Sequence, residues 1–306
     1  MNSKNSVLLV VNPIAGGSDK EDIIKMIQAQ RHERNVALEV YNTSGTNDKE
    51  AIDQLIHKIK PNRILVAGGD GTISLVAQCI HQKEIYLGII SAGSANGMAA
   101  NIGLPLDIQD QIEIALSENI LAIDVIFIDG RICLHIADLG INAELVKNYE
   151  ASNVRGKFGY FLQSFPTLFN SDSPFEFTIE TADGIYEETG ILLAIANANK
   201  FGTGANINPN GKINDGKFEI LVFKNFDFIE ILKTAQDNPD MSPEFVSVFS
   251  TDKAQITNKT LVPFQIDGEY IGEVKSTNVK IERESLYLAV PETFLNLHKN
   301  KTLYEN

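Results

Sequence analysis

Cysteine is scarce: two residues in 306, Cys79 and Cys133, far apart in different predicted elements. That argues against a disulfide framework and against a zinc site, and makes a reducing cytoplasm the default setting. Basic residues are also outnumbered. With 26 Lys and Arg against 40 Asp and Glu, the formal net charge of −14 argues against a chain whose main work is gripping nucleic acid. No stretch approaches the roughly 18 uninterrupted apolar residues of a spanning helix. The opening MNSKNSVLLVVNPIAGG lacks a signal-peptide apolar region with a cleavage site, and reads as a first strand. Several site motifs are missing too. No GxGxxG opens the first helix. The nearest approach to a Walker A loop, Gly211-Lys212-Ile213-Asn214-Asp215-Gly216-Lys217, has Phe218 where Ser or Thr should hold a metal, and leads into the strand-like FEILVF. The five histidines form no HExxH, and no GxSxG elbow occurs.

What remains is a soluble globular composition, 43% hydrophobic and 22% charged, with length for two domains. Up to about Ile120, strand-like and helix-like segments alternate. Strands are expected at Val7 to Val11, Val36 to Tyr41, Ile64 to Ala67 and Ile85 to Ile90. Helices are expected at Lys20 to Gln30, Lys49 to Ile59, Ile73 to Ile80 and Ile108 to Leu116. This is the pattern of an α/β domain with a mainly parallel sheet, assigned to residues 1–121. From Leu121 onward, apolar alternation flanks Asp129-Gly130, Asp183-Gly184 and Asp267-Gly268, the signal of β-hairpins. Residues 122–290 are therefore expected to be mostly antiparallel β. Residues 291–306 are expected to include a C-terminal helix, Glu292 to Leu297, packing back on the first domain.

Three loops follow the parallel strands at their carboxyl ends, where open α/β sheets bind ligands. They are Asn12-Pro13-Ile14-Ala15-Gly16-Gly17, Gly68-Gly69-Asp70-Gly71-Thr72 and Ala92-Gly93-Ser94-Ala95-Asn96-Gly97. Glycine lets backbone N–H groups approach a phosphate, a helix N-terminus adds partial positive charge, and Thr72 or Ser94 could add hydroxyl donors. Any one of these loops is equally well explained as a tight turn; three in succession read as a phosphate cradle. Asp70 has two readings. An acid among phosphate-binding donors implies a bridging Mg²⁺, whereas an acid at a helix start is also an ordinary cap. Asp124, inside the apolar run LAIDVIFI, is either buried with a partner or turned to water on an edge strand.

These motifs, in the order Asn-Pro-x-x-Gly-Gly, GGDGT, GSAN and IDGE (Ile266 to Glu269), with Asn208-Pro209 and Asn214-Asp215-Gly216-Lys217 between the last two, resemble the diacylglycerol kinase catalytic family. That family includes sphingosine and ceramide kinases. The resemblance spans nearly the whole chain. It implies an α/β nucleotide-binding domain with a β-sandwich second domain, the arrangement also found in NAD kinases. It implies an ATP- and Mg²⁺-dependent lipid kinase. Gly68, Gly69, Asp70, Gly71 and Thr72 would cradle ATP, with Asn12, Ser44, Ser94 and Asn96 as further contacts. Asp70 and Asp124 would join the Mg²⁺ network, and Asp215 matches a loop holding a second Mg²⁺. Asp267 would be the general base, with Glu269 assisting at the metal or at that base. The chain departs from many bacterial members at Gly97, where they carry Asp. That removes one acid from the expected magnesium network and bears on which lipid is used.

By itself IDGE reads as another β-turn, and only the upstream loops favour a catalytic role. The segment Lys147 to Phe169 mixes Lys147, Arg155 and Lys157 with Phe158, Tyr160, Phe161, Phe165 and Phe169. It fits either an anionic membrane surface or a buried helix face. The partners implied are a lipid substrate at a membrane, through transient peripheral contact, and no nucleic acid; homodimer formation stays open. The competing functions are an NAD kinase with a soluble substrate and a lipid-binding regulator without turnover.

Overall fold

The computed structural model describes residues 6–16, 20–34, 36–94, 96–141, 143, 174–201, 205–236 and 238–299. Lys147 to Phe169 lie outside the described residues. The chain forms two compact units, residues 1–123 with 284–306, and residues 124–283.

The first unit runs β1 (Ser6–Val11), α1 (Lys20–Arg34), β2 (Ala37–Asn42), α2 (Asp48–Ile59), β3 (Arg63–Gly68), α3 (Asp70–Ile80), β4 (Tyr86–Ser91), α4 (Gly97–Asn101) and α5 (Ile108–Ala115). Its strands are parallel in the order β2-β1-β3-β4, and Tyr287 and Leu288 add in parallel beside Tyr86 and Leu87. All six residues of β3 and five of six in β1 are buried, as expected of parallel strands covered on both faces. At the edge, β2 alternates between half-buried and exposed positions. Helix α2 buries Ile52 and Ile56, one turn apart, and has acids in its first turn and His57 and Lys58 in its last, matching the helix dipole. The core joins Val7, Leu9 and Val11 to Ile23 and Ile27 of α1 and to Leu65 and Ile90.

The second unit begins within β5 (Ile120–Ile128) and continues with β6 (Arg131–Cys133), β7 (Ile136–Gly140), β8 (Phe175–Thr181), β9 (Gly184–Gly190), β10 (Leu192–Ala196), β11 (Lys200–Phe201), β12 (Ala205–Asn206), β13 (Phe218–Phe223), α6 (Phe228–Lys233), β14 (Val246–Thr251), β15 (Lys253–Ile266) and β16 (Glu269–Ala289). Its main order is β14-β13-β10-β7-β15-β16, antiparallel throughout, and the hairpin β8-β9 adds along β15. Phe177 and Phe218, both fully buried, centre its core with Ile179, Ile220 and Ile256. The last residues of β16 and the terminal helix α7 (Glu292–Lys299) cluster with the first unit.

Asp129-Gly130 and Asp267-Gly268 both carry positive φ, 49° and 82° in one pair and 49° and 87° in the other. Left-handed backbone at both central positions is the type I′ geometry that suits the right-handed twist of a hairpin. The third expected turn falls elsewhere. Thr181 pairs with Gly184, so Ala182 and Asp183 form the turn and Gly184 already belongs to β9.

Candidate active site

In the first unit the three glycine loops meet at the carboxyl ends of β1, β3 and β4. Asn12 ties the first to the second, because its Nδ2 donates to Thr72 Oγ1 at 3.2 Å while its Oδ1 accepts from Ile14 N. Gly69 and Gly93 bring the second and third together. A Cβ on Gly93 would lie 2.4 Å from Gly69 Cα, so only glycine permits this approach. Gly16 closes the first onto the third, with φ +55° and room for a Cβ only 2.5 Å from Ala92 O. Asn96 shapes the third loop from within, since its side chain exchanges hydrogen bonds with Gly93 N and Gly93 O. Ser94 is exposed in that loop.

Asp70 is the first residue of α3 but does not cap that helix. Its Oδ2 accepts from Gly97 N at 2.8 Å and its Oδ1 from Met98 N at 3.0 Å, so it caps the following helix, α4. Position 97 therefore contributes a backbone donor to Asp70. At the start of α3 the N-cap residue, Gly69, has no side chain to offer to the first turn. A helix N-terminus with glycine at the N-cap, lined by Gly68, Gly69, Gly71 and Thr72, is an arrangement that can receive a phosphate.

Ser44 lies in the loop after β2, which Thr43 N anchors to Val11 O at 2.8 Å, beside the Asn12 loop. This loop wraps Asp48. The Asp48 carboxylate accepts from Ser44 N, Ser44 Oγ, Gly45 N and Tyr41 Oη at 2.6 to 3.1 Å. Burial alone would push Asp48 up, but those donors outweigh it and hold its carboxyl below the ordinary value. The same bond pushes the Tyr41 phenol up to about 12.

In the second unit Asp124 is 1% exposed, which settles its two readings in favour of burial. Its Oδ2 accepts from Gly216 N at 2.6 Å, and its backbone carbonyl accepts from Asn197 Nδ2. Asp124 thus holds the Asn214-Asp215-Gly216 loop. Asp215 is exposed on that loop, with Oδ1 accepting from Lys217 N.

Asp267 sits on the β15–β16 turn, half-buried, with its carboxylate inside a ring of backbone donors. Oδ1 accepts from His135 N at 2.9 Å, from Ile136 N at 3.1 Å and from the Cys133 thiol at 3.6 Å; among the described residues Oδ2 accepts from Leu134 N alone, at 2.9 Å. Oδ2 is therefore the oxygen with capacity left. Burial pushes the Asp267 carboxyl up, and the three N–H groups offset that only in part. A carboxylate with raised proton affinity is a better proton acceptor. Glu269 is exposed at the start of β16, paired in register with Ile266.

Residues 6–128 match the diacylglycerol kinase catalytic domain, and residues 136–290 match the YegS C-terminal NAD kinase beta sandwich-like domain. The chain belongs to the diacylglycerol kinase family. Its class of reaction is phosphoryl transfer to an alcohol group. Among its relatives, a probable lipid kinase YegS-like of Chromohalobacter salexigens is 27% identical over 216 residues, 68% of this chain and 69% of that protein. A diacylglycerol kinase of Staphylococcus carnosus is 21% identical over 97% of this chain and 94% of its own length. The crystal structure of a putative diacylglycerol kinase from Bacillus anthracis superposes with a TM-score of 0.78 at 21% identity, covering 94% of this chain and 98% of that one, a likeness of fold.

Two residues, one in each unit, escaped the reading of the sequence. Lys20, 7% exposed, donates from Nζ to Ala15 O at 2.7 Å and to Ala92 O at 3.3 Å, bridging the first and third loops. Its place gave a signal, because a lysine in the first turn of a helix opposes the dipole and needs another reason to be there. Gln265 is 1% exposed beneath the Asp267 turn, and its Oε1 accepts from Gly268 N at 2.7 Å. Nothing local marks it, since a Gln in a strand ordinarily faces solvent.

Proposed function

We propose that the chain is an ATP- and Mg²⁺-dependent lipid kinase that transfers the γ-phosphate to a hydroxyl of diacylglycerol or of a sphingoid-type lipid. The carrying observation is the N-terminus of α3, with glycine at its N-cap and walled by glycine loops that pack too closely to admit a Cβ at Gly16 or Gly93. Family membership supplies the reaction class, and a helix N-terminus of this form suits the phosphates of a nucleotide. In the first unit Gly68, Gly69, Gly71 and Thr72 bind phosphate oxygens through N–H and hydroxyl donors, with Asn12, Ser44, Ser94 and Asn96 bordering the nucleotide.

The acids fit a magnesium ion of the kind held mainly by water and phosphate. Among the described residues, no three His, Cys, Asp or Glu side chains group as an all-protein cage requires. Mg²⁺ in kinases commonly takes only one or two carboxylates. Asp70 spends one lone pair of each oxygen on N–H groups and, among the described residues, keeps the others, so it is the residue we assign to the metal. Asp215, exposed, serves a second ion, with Asp124 acting through the loop that carries it. When bound, Mg²⁺ neutralises charge on the phosphates. In the second unit Asp267 takes the proton of the acceptor hydroxyl on Oδ2, with Glu269 assisting from the start of β16. The acceptor is a lipid presented at a membrane surface that the protein contacts transiently. Among the described residues no helix is long and apolar enough to cross a membrane.

The test is transfer of radiolabelled γ-phosphate from ATP, with Mg²⁺, to mixed micelles of diacylglycerol, monoacylglycerol, ceramide or sphingoid base, with soluble NAD as a parallel acceptor. Label is expected in a lipid. Label in NAD alone would replace this reading by that of an NAD kinase, and ATP binding without transfer to any acceptor would replace it by that of a regulator.

A further inference from the structure

The turn that carries Asp267 is held by more than the ring of N–H groups around its carboxylate. Gln265 Oε1 accepts from Gly268 N at 2.7 Å, while its Nε2 donates to Asp138 Oδ2. Gln265 and Asp138 are cross-strand partners in the β15–β7 register, and both are buried, at 1% and 0% exposure. Asp267 N in turn donates to Ile136 O at 2.9 Å on the same β7 strand.

The amide of Gln265 has only one orientation in this setting, because Gly268 presents a donor to it and Asp138 an acceptor. Fixing Gly268 N fixes the plane of the peptide that follows Asp267. The direction of the Asp267 Cα–Cβ bond follows from that plane. A short strand-to-strand turn could form without a buried charge beneath it. A buried carboxylate is costly unless it is hydrogen-bonded, and here it is placed against a side chain that grips the turn.

We infer that Gln265 and Asp138 are a positioning pair for phosphoryl transfer: Asp138 orients the Gln265 amide, which locks the turn so that Asp267 Oδ2 faces the acceptor hydroxyl. The inference rests on the reading of Asp267 as the proton acceptor. The pair touches neither nucleotide nor lipid and acts through the turn. Its loss therefore lowers kcat while leaving the KM for ATP in place.

The test exchanges the polarity of the pair. Gln265→Glu sets two carboxyl groups against each other, and Gln265→Glu combined with Asp138→Asn restores one donor facing one acceptor with direction reversed. Hydrogen exchange at the Gly268 amide and transfer of labelled phosphate to dioleoylglycerol micelles are measured for both variants, for wild type and for Asp267→Asn. Gly268 exchange is expected to rise at least tenfold in Gln265→Glu, with kcat falling tenfold or more and the KM for ATP within twofold, and both are expected to recover in the double variant. Unchanged Gly268 exchange in Gln265→Glu, or lost exchange protection with unchanged kcat while Asp267→Asn is inactive, overturns the inference. Full activity in Asp267→Asn overturns the reading of Asp267 instead. If wild type labels no dioleoylglycerol, the Gly268 exchange comparison decides whether the pair holds the turn.

Discussion

The glycine loops of the first unit and the Asp267 turn of the second solve opposite problems. On the proposed reading the loops must expose backbone donors, and they do so by omission: glycine at Gly69 and Gly93 lets two loops pack, and the N-cap residue of α3 has no side chain. The turn must aim one acid, and it does so by adding contacts from residues about 130 positions away in the chain, with Leu134, His135 and Ile136 each donating an N–H to one carboxylate. The acids differ in what sets their protonation. Donors hold Asp48 in the first unit below its ordinary value, whereas burial pushes Asp267 and Glu219 in the second above theirs. On the proposed reading, the loops receive their ligand where glycine leaves the backbone open, and the turn aims its side chain by pairing the groups around it.

The sharpest way to break this contrast is at Asp267. Asp267→Asn keeps one acceptor oxygen, sets its NH2 against one N–H of the ring and cannot take a proton, so activity should fall by about 10²- to 10⁴-fold with about 1–3 kcal/mol of stability lost. Asp267→Ala should lose activity and also about 3 kcal/mol or more in a urea melt, because three backbone donors are left unsatisfied. Next comes Gly93→Ala, whose Cβ would press on Gly69 at 2.4 Å. It should cost about 1–3 kcal/mol and raise the KM for ATP about tenfold with the turn intact.

Smaller effects sharpen the protonation half. Asp48 has a depressed folded value, so its contribution is full above the unfolded carboxylate value of about 4 and is lost as pH falls through the folded value. Asp48→Asn should therefore cost about 1–2 kcal/mol at neutral pH, a penalty that shrinks in thermal melts below about pH 4. Glu219 accepts from Asn208 and Ser250, and burial raises its folded value. Its contribution is full below about pH 4 and is lost as pH rises through the folded value. Glu219→Gln should gain on wild type as pH rises from about 4 to 7, by less than about 1 kcal/mol. A gain that instead grew toward acid pH would contradict the assigned shift.

The two units were unequally legible. In the first, helix faces such as Ile52 and Ile56 and short apolar strands are local patterns, and the expected elements fall within a few residues of those found, with α2 at Asp48–Ile59 and β3 at Arg63–Gly68. The loops were legible for the same reason, since a βα turn lies next to its own strand. In the second unit the hairpin signals at Asp129-Gly130 and Asp267-Gly268 located the turns but not the lengths of the strands. β15 and β16 run 14 and 21 residues, well beyond the alternation around Asp267. Nothing in a period of two tells which strand becomes a neighbour, so the β14-β13-β10-β7-β15 order, the burial of Asp124 against Gly216 and the grip of Gln265 on Gly268 were out of reach. Lys20 was within reach of a helix-dipole argument that the strength of the glycine motifs obscured.

The central claim is that nucleotide binding resides in the glycine loops and proton acceptance in the Asp267 turn. The most direct measurement is steady-state lipid phosphorylation by Asp267→Asn beside wild type, with kcat and the KM for ATP determined separately. The account predicts a kcat lower by at least about 10²-fold and a KM for ATP within twofold. A preserved kcat with a raised KM for ATP would contradict it.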